Sequence, residues 1–193
     1  MRKIKIVRNT KETKVTLELG LDKSGNVSVQ TTVPFMDHML TLFAHHGNFS
    51  LKVKASGDTD VDNHHLVEDL GISLGMALEK ALGAKKGINR YGYMLLPMDE
   101  ALSYVSMDIS GRPLLDYKIK FKNKAAGFDY DLIEDFFLAF VNNARVTLHL
   151  SMKAGRNDHH MAESIFKGFG RALAQAVSMD KKRKGVPSSK GRI

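Results

Sequence analysis

The chain has 193 residues, 43% of them hydrophobic, and a formal net charge of +8, a length that suits one domain or two small fused halves around a real core. It contains no cysteine, so disulfides and thiolate ligands are excluded and any metal must be held by imidazole and carboxylate, a set that suits manganese, iron or zinc. No run approaches the roughly 20 apolar residues of a membrane span. The start alternates charge with branched apolar residues instead of offering a secretory core, so the expected compartment is the cytoplasm.

Residues 1–7 read as a strand, and 14–19 and 26–30 alternate as half-buried strands. Pro34 opens a helical stretch through Met39, Leu42 and Phe43, and 49–54 is a further strand. A helix starting at His64 then places Leu66, Leu70, Leu74, Leu78 and Leu82 on one stripe, with Gly83 as its stop. The order repeats in the second half, with strands near 101–109 and 114–121, a helix over 130–142 and a strand over 146–151. A last helix carries Met161, Ile165, Phe169 and Leu173 on one face. The expected fold class is α+β: two pseudo-repeated halves, 1–86 and 87–193, each a small sheet of about four strands with two helices on one face, packed face to face. Neither half alone covers its core, so the two form one catalytic unit, the second ending in a basic tail.

The repeat is sharpest at Asp62-Asn63-His64-His65-Leu66-Val67-Glu68-Asp69 and Asn157-Asp158-His159-His160-Met161-Ala162-Glu163-Ser164. Residues four apart share a helix face, so His64 with Glu68, and His159 with Glu163, can each clasp a metal. His65 and His160 point about 100° away and are free to reach a second ion. Two such helices facing each other would trade these spare histidines and build two sites from one duplicated element. His38 lies 26 residues before His64, and Asp135 lies 24 before His159. The symmetric expectation is that His38, His65, His159 and Glu163 hold one ion, and that His64, Glu68 and His160 hold the other with Asp135 as added partner. His149, on a strand, competes with Asp135. Four such ligands leave open positions on an octahedral ion, as a catalytic metal needs.

The positive charge fits either nucleic acid or an anionic small molecule. Much of it lies in 181–192, where no stacking aromatics are interleaved, and tryptophan is absent. The ligands alone also permit another di-metal enzyme, such as a hydrolase, and the tail permits an RNA binder that uses metals as staples.

Several further segments resemble one family. They are Arg8-Asn9-Thr10-Lys11-Glu12-Thr13, Phe35-Met36-Asp37-His38-Met39-Leu40, Gly57-Asp58 through Glu68-Asp69, and Gly87-Ile88-Asn89-Arg90-Tyr91-Gly92. They continue with Pro97-Met98-Asp99-Glu100-Ala101, Asp108-Ile109-Ser110-Gly111-Arg112-Pro113, the second motif through Phe166-Lys167, and Pro187-Ser188-Ser189-Lys190-Gly191. In this order they resemble the imidazoleglycerol-phosphate dehydratases of histidine biosynthesis, in their form without an added phosphatase domain. The resemblance implies dehydration of D-erythro-imidazole glycerol phosphate to imidazole acetol phosphate, with two Mn2+ per active site. A substrate imidazole, deprotonated and held between two ions, becomes an electron donor that expels the neighbouring hydroxyl and passes through a diazafulvene.

The same resemblance implies Glu12 as the acid/base, and Asp99 and Glu100, in the comparable place of the second half, are expected in structural or supporting roles. It assigns Arg90, Arg112, Lys167, Ser189 and Lys190 to the phosphate, and places His38 and His46, not His45, near the substrate. That leaves 181–184 as a solvated charge run. The partners expected are a phosphorylated small molecule and further copies of the chain in a large homo-oligomer, a 24-mer as in the family. Neither nucleic acid nor membrane is expected as a partner.

Overall fold

The computed structural model describes residues 2–22, 25–122, 128–180, 182 and 184–193. Met1 of the expected first strand, and Lys181 and Arg183 of the basic run, lie outside the described residues. The first half runs β1 (Lys3–Asn9), β2 (Thr13–Gly20), β3 (Val27–Gln30), α1 (Pro34–Gly47), β4 (Ser50–Gly57) and α2 (His64–Leu82). The second repeats the order as β5 (Tyr91–Met98), β6 (Ala101–Asp108), β7 (Leu114–Lys118), α3 (Leu132–Ala144), β8 (Thr147–Ala154) and α4 (Asp158–Val177). Each half forms a four-stranded sheet, ordered β1-β2-β4-β3 and β5-β6-β8-β7. In both sheets the first three strands are antiparallel and the last is parallel to its neighbour. That parallel pairing needs a crossover connection, which α1 and α3 provide.

Period-two alternation gives each sheet one apolar face. In β2, Val15, Leu17 and Leu19 are buried while Lys14, Thr16 and Glu18 turn outward. Such a face must be covered, and each half covers its own with two helices. The stripe Leu66, Leu70, Leu74, Leu78, Leu82 of α2 is buried as its spacing predicts, as are Met161, Ile165, Phe169 and Leu173 of α4. Gly83 ends α2 at φ 52°, a conformation that suits glycine.

The halves meet through their helices, α1 against α4 and α2 against α3. A side chain at Gly75 would collide with the Phe140 carbonyl, and one at Gly170 with the Phe43 carbonyl. These two glycines occupy matching places in the duplicated halves, and each lets a motif helix approach the other half's short helix at backbone distance.

Two expectations are corrected. The motif helices α2 and α4 do not face each other within the chain, because each is paired with a short helix of the opposite half. Strand β5 is absent from the alternation reading because Gly92 and Pro97 interrupt its pattern. It is an edge strand, where proline costs little, and a side chain at Gly92 would collide with the Ala172 carbonyl of α4.

Beyond α4 the tail folds back. Gly87 N donates to Gly185 O at 3.0 Å, Asp180 N to Gly87 O at 2.8 Å, and Arg90 Nη1 to the carbonyl of buried Pro187 at 2.9 Å. Among the described residues, no helix is long and apolar enough to cross a membrane.

Candidate active site

Helix α4 is capped by Asn157, whose side chain accepts from the backbone N–H groups of His159 and His160. Four-residue steps then bring His159, Glu163, Lys167 and Arg171 onto one face. His38 of α1 meets this face and donates from Nε2 to Glu163 Oε1 at 2.9 Å, while His159 Nε2 donates to the same oxygen at 3.0 Å. Lys167 Nζ holds the other oxygen at 2.6 Å. One donor atom from each of His38, His159 and Glu163 lies within 4.8 Å of the others. A divalent cation fits this set by replacing the two ring protons that now point at the carboxylate. Glu163 is buried beneath two exposed imidazoles, so the carboxylate forms the floor of the cluster. Burial opposes its ionisation, but Lys167, His38 and His159 outweigh burial and hold its pKa at about 2.

The opposite pairing repeats the helix arrangement but not the closed cluster, since among the described residues only His38, His159 and Glu163 gather as a three-ligand group. Asp135 precedes the αL cap Arg145 of α3 by ten residues, as His38 precedes the αL cap Asn48 of α1. His64 Nδ1 lies 3.3 Å from Asp135 Oδ2, and Glu68 follows one turn later, exposed. His149 points from β8 to the sheet face away from the helices and pairs with Asp116 of β7 at 3.0 Å. Within one chain, Asp135 therefore holds the place beside His64.

The spare histidines stand apart from both clusters. His65 Nδ1 lies 3.0 Å from Asp58 Oδ2 and 3.9 Å from Glu12 Oε2. His160 Nδ1 lies 2.8 Å from Glu100 Oε2 and 3.8 Å from Asp99 Oδ2. The Asp58 and Glu100 hydrogen bonds raise the two imidazole pKa values, and the His160 bond with backbone N–H groups holds Glu100 at about 2.

The phosphate candidates divide into two groups. Arg90, Arg112, Ser189 and Lys190 line one cleft of about 490 Å³ together with Ser110, Ser188 and Arg192. Arg90 grips Asp108 through Nε at 2.6 Å and Nη2 at 3.0 Å, which aims its fork beside the cleft. Lys167 instead belongs to the Glu163 cluster. His46 lines a groove with Tyr93 and Arg171, where burial and then its cationic neighbours lower its pKa and favour neutral imidazole. Sequence reasoning leaves Asp58, Asp108 and Arg171 without roles. Asp58 and Asp108 lie inside segments that carry the family resemblance, which is the available signal, whereas nothing local marks Arg171.

Glu163 also has a consequence for acid stability. Its folded pKa of about 2 lies below the ordinary 4.5, so its contribution is present above pH 4.5 and lost as pH falls toward 2. In metal-free protein, thermal midpoints measured across that window should fall less steeply for Glu163→Gln than for the wild type. Equal slopes would refute the assignment.

The family model for imidazoleglycerol-phosphate dehydratase matches residues 31–173. The imidazoleglycerol-phosphate dehydratase of Endomicrobium trichonymphae is 58% identical over 190 residues, covering 98% of this chain and 97% of that one. Its counterpart in Streptococcus mutans is 54% identical over 194 residues, covering 100% of both. The crystal structure of the Staphylococcus aureus enzyme matches with TM-score 0.83 at 40% identity, over 92% of this chain and 99% of that one. The Pyrococcus furiosus enzyme matches with TM-score 0.85 at 34% identity, over 97% and 100%. Fold and relatives together define the class, a duplicated α+β hydro-lyase. The chain belongs to the imidazoleglycerol-phosphate dehydratase family and to histidine biosynthesis.

Proposed function

We propose that the chain dehydrates D-erythro-imidazole glycerol phosphate to imidazole acetol phosphate with two manganese ions per site, in a large cytoplasmic homo-oligomer of the 24-mer type. The halves 1–86 and 87–193 act as one catalytic unit. The observation that carries this reading is the clasp His38–His159–Glu163, supported on the other side by the pair His64–Asp135, with Glu68 one turn beyond His64. Its donors are imidazole and carboxylate, the set that suits manganese. Ions bound by these residues, with His65 and His160, would act as Lewis acids on the two imidazole nitrogens and favour loss of the neighbouring hydroxyl through a diazafulvene.

The chain's own residues divide the remaining work. Arg90, Arg112, Ser189 and Lys190 bind the phosphate, and Lys167 and His46 line the path toward it. Glu12, on an exposed hairpin tip, moves the substrate proton.

Geometry supports assembly. Arg90 precedes β5 and Asp99 follows it, and β5 has eight residues, so the cleft and the His160–Glu100 pair stand roughly 25 Å apart at about 3.3 Å per residue. The substrate's three-carbon bridge, at about 1.5 Å per bond, spans less than about 10 Å. One chain's cleft and its own His160 therefore serve different substrate molecules, and each site draws on neighbouring copies.

Turnover of the phosphorylated substrate should vanish on chelation and return with Mn2+, in a particle that light scattering reports as far larger than a monomer. A monomer turning over without metal would overturn the reading. Replacing Asp135 by Ala should weaken one manganese site, read by metal titration, and spare the other. Normal loading of both would pass the role to His149.

A further inference from the structure

The two halves treat their spare histidines differently, and the difference assigns roles to two carboxylates. Glu12 and Glu100 occupy matching places, each one residue before the second strand of its hairpin, β2 or β6. Asp58 and Arg156 match as well. Each follows a glycine packed against the motif helix, Gly57 on Leu66 and Gly155 on Met161. Each also donates its backbone N–H to the hairpin glutamate, Asp58 to Glu12 O at 3.1 Å and Arg156 to Glu100 Oε1 at 3.2 Å. The first half thus has a carboxylate where the second has a guanidinium.

In the first half Asp58 takes the ring of His65 at 3.0 Å, and Glu12 stands off at 3.9 Å. In the second half Arg156 cannot accept a ring proton, and Glu100 has turned inward. Its Oε2 holds His160 Nδ1 at 2.8 Å, while Oε1 accepts the backbone N–H groups of Arg156 and Asn157 at 3.2 and 2.8 Å. A neutral imidazole has one N–H, and the partner on one nitrogen decides which nitrogen keeps the lone pair.

We propose that Asp58 and Glu100 are positioning residues, each accepting a hydrogen bond from Nδ1–H of its histidine so that Nε2 of His65 or His160 is the lone pair offered to a metal. The inference rests on the metal-binding reading above and deepens it. It also explains the asymmetry of the hairpin glutamates: Glu100 is tied to a ring and a loop, and Glu12 is left at the tip.

Glu100→Gln tests this directly. The carbonyl of the introduced amide stays with the two backbone N–H groups, so its NH2 faces Nδ1, which must then accept, and the ring proton moves to Nε2. Titration of the metal-free oligomer with Mn2+, read by electron paramagnetic resonance of the free ion, should show affinity falling roughly 10- to 100-fold at the sites that use His160. The thermal midpoint of the metal-free protein should stay near the wild-type value, because the loop tether survives. Asp58→Asn should do the same at His65, and it keeps the test open if Glu100→Gln fails to fold. Unchanged Mn2+ affinity in either variant overturns the proposal for that histidine. Failure of the wild type to bind Mn2+ at all would strike instead at the proposed function.

Discussion

Replacing Glu12 by Gln is expected to lower kcat roughly 10²- to 10⁴-fold, the usual yield of a positioned acid/base, while KM and manganese content stay near wild type. Glu12 is the right kind of group in the right kind of place. Its side chain is 58% exposed at a hairpin tip, so it can meet substrate without first being desolvated. The tip is nevertheless held, because Thr10 Oγ1 accepts from the backbone N–H groups of Glu12 and Thr13 at 3.1 and 2.9 Å. The isosteric amide preserves that backbone and removes only the titrating oxygen. Steady-state kinetics with metal analysis of the same sample checks it. A loss that appears in KM or in metal content would mean that Glu12 binds and does not move a proton.

Replacing Asp69 by Ala is expected to destabilise the protein by roughly 3 kcal/mol, a fall in thermal midpoint of roughly 6 to 12 °C for a chain of this size. The Asp69 side chain is only 5% exposed and accepts from Arg8 Nη2 at 2.8 Å and Nε at 3.0 Å, and from the Thr13 hydroxyl. Removing it strands a guanidinium and takes from the buried Thr13 hydroxyl its carboxylate acceptor, leaving it the Thr10 hydroxyl at 3.1 Å. The figure sits at the low end for a buried pair because Arg8 is a third exposed. The network ties β1 and β2 to α2 beside the hairpin that carries Glu12, so kcat should fall with stability. Asp69→Asn keeps an acceptor for Thr13 and should lose less. A thermal scan with both variants separates these outcomes, and an unshifted midpoint in Asp69→Ala would refute the anchoring role.

Much of this architecture is written locally. The leucine stripe of α2 and the apolar face of α4 follow from helical spacing, Gly83 from its stop position, and the paired motifs from plain repetition. His38 and Asp135 are reachable by comparing offsets, and the αL caps of α1 and α3 show why: each residue sits ten places before its cap.

What local reading misses is non-local. Which helix faces which depends on close approach at Gly75 and Gly170, and neither glycine announces its partner. The motif helices consequently face the short helices and not each other, so His65 and His160 do not trade places within one chain. Asp58 looks like any turn aspartate until His65 folds against it. Strand β5 hides because its glycine and proline serve packing against α4 and an edge position. The wide gap between the basic cleft and His160 appears only once β5 is seen to span it.

If the duplicated motif builds one site for two ions around a substrate imidazole, anomalous scattering from manganese-soaked crystals with a substrate analogue bound should reveal both ions at once. Two manganese peaks per site are expected, one on His38, His159 and Glu163 and the other on His64, Glu68 and Asp135, with His65 and His160 bound through Nε2. The imidazole should lie between the ions and the phosphate in a cleft formed by Arg90, Arg112, Ser189 and Lys190. A single peak, or two peaks with the phosphate far from that cleft, would contradict the split two-ion site.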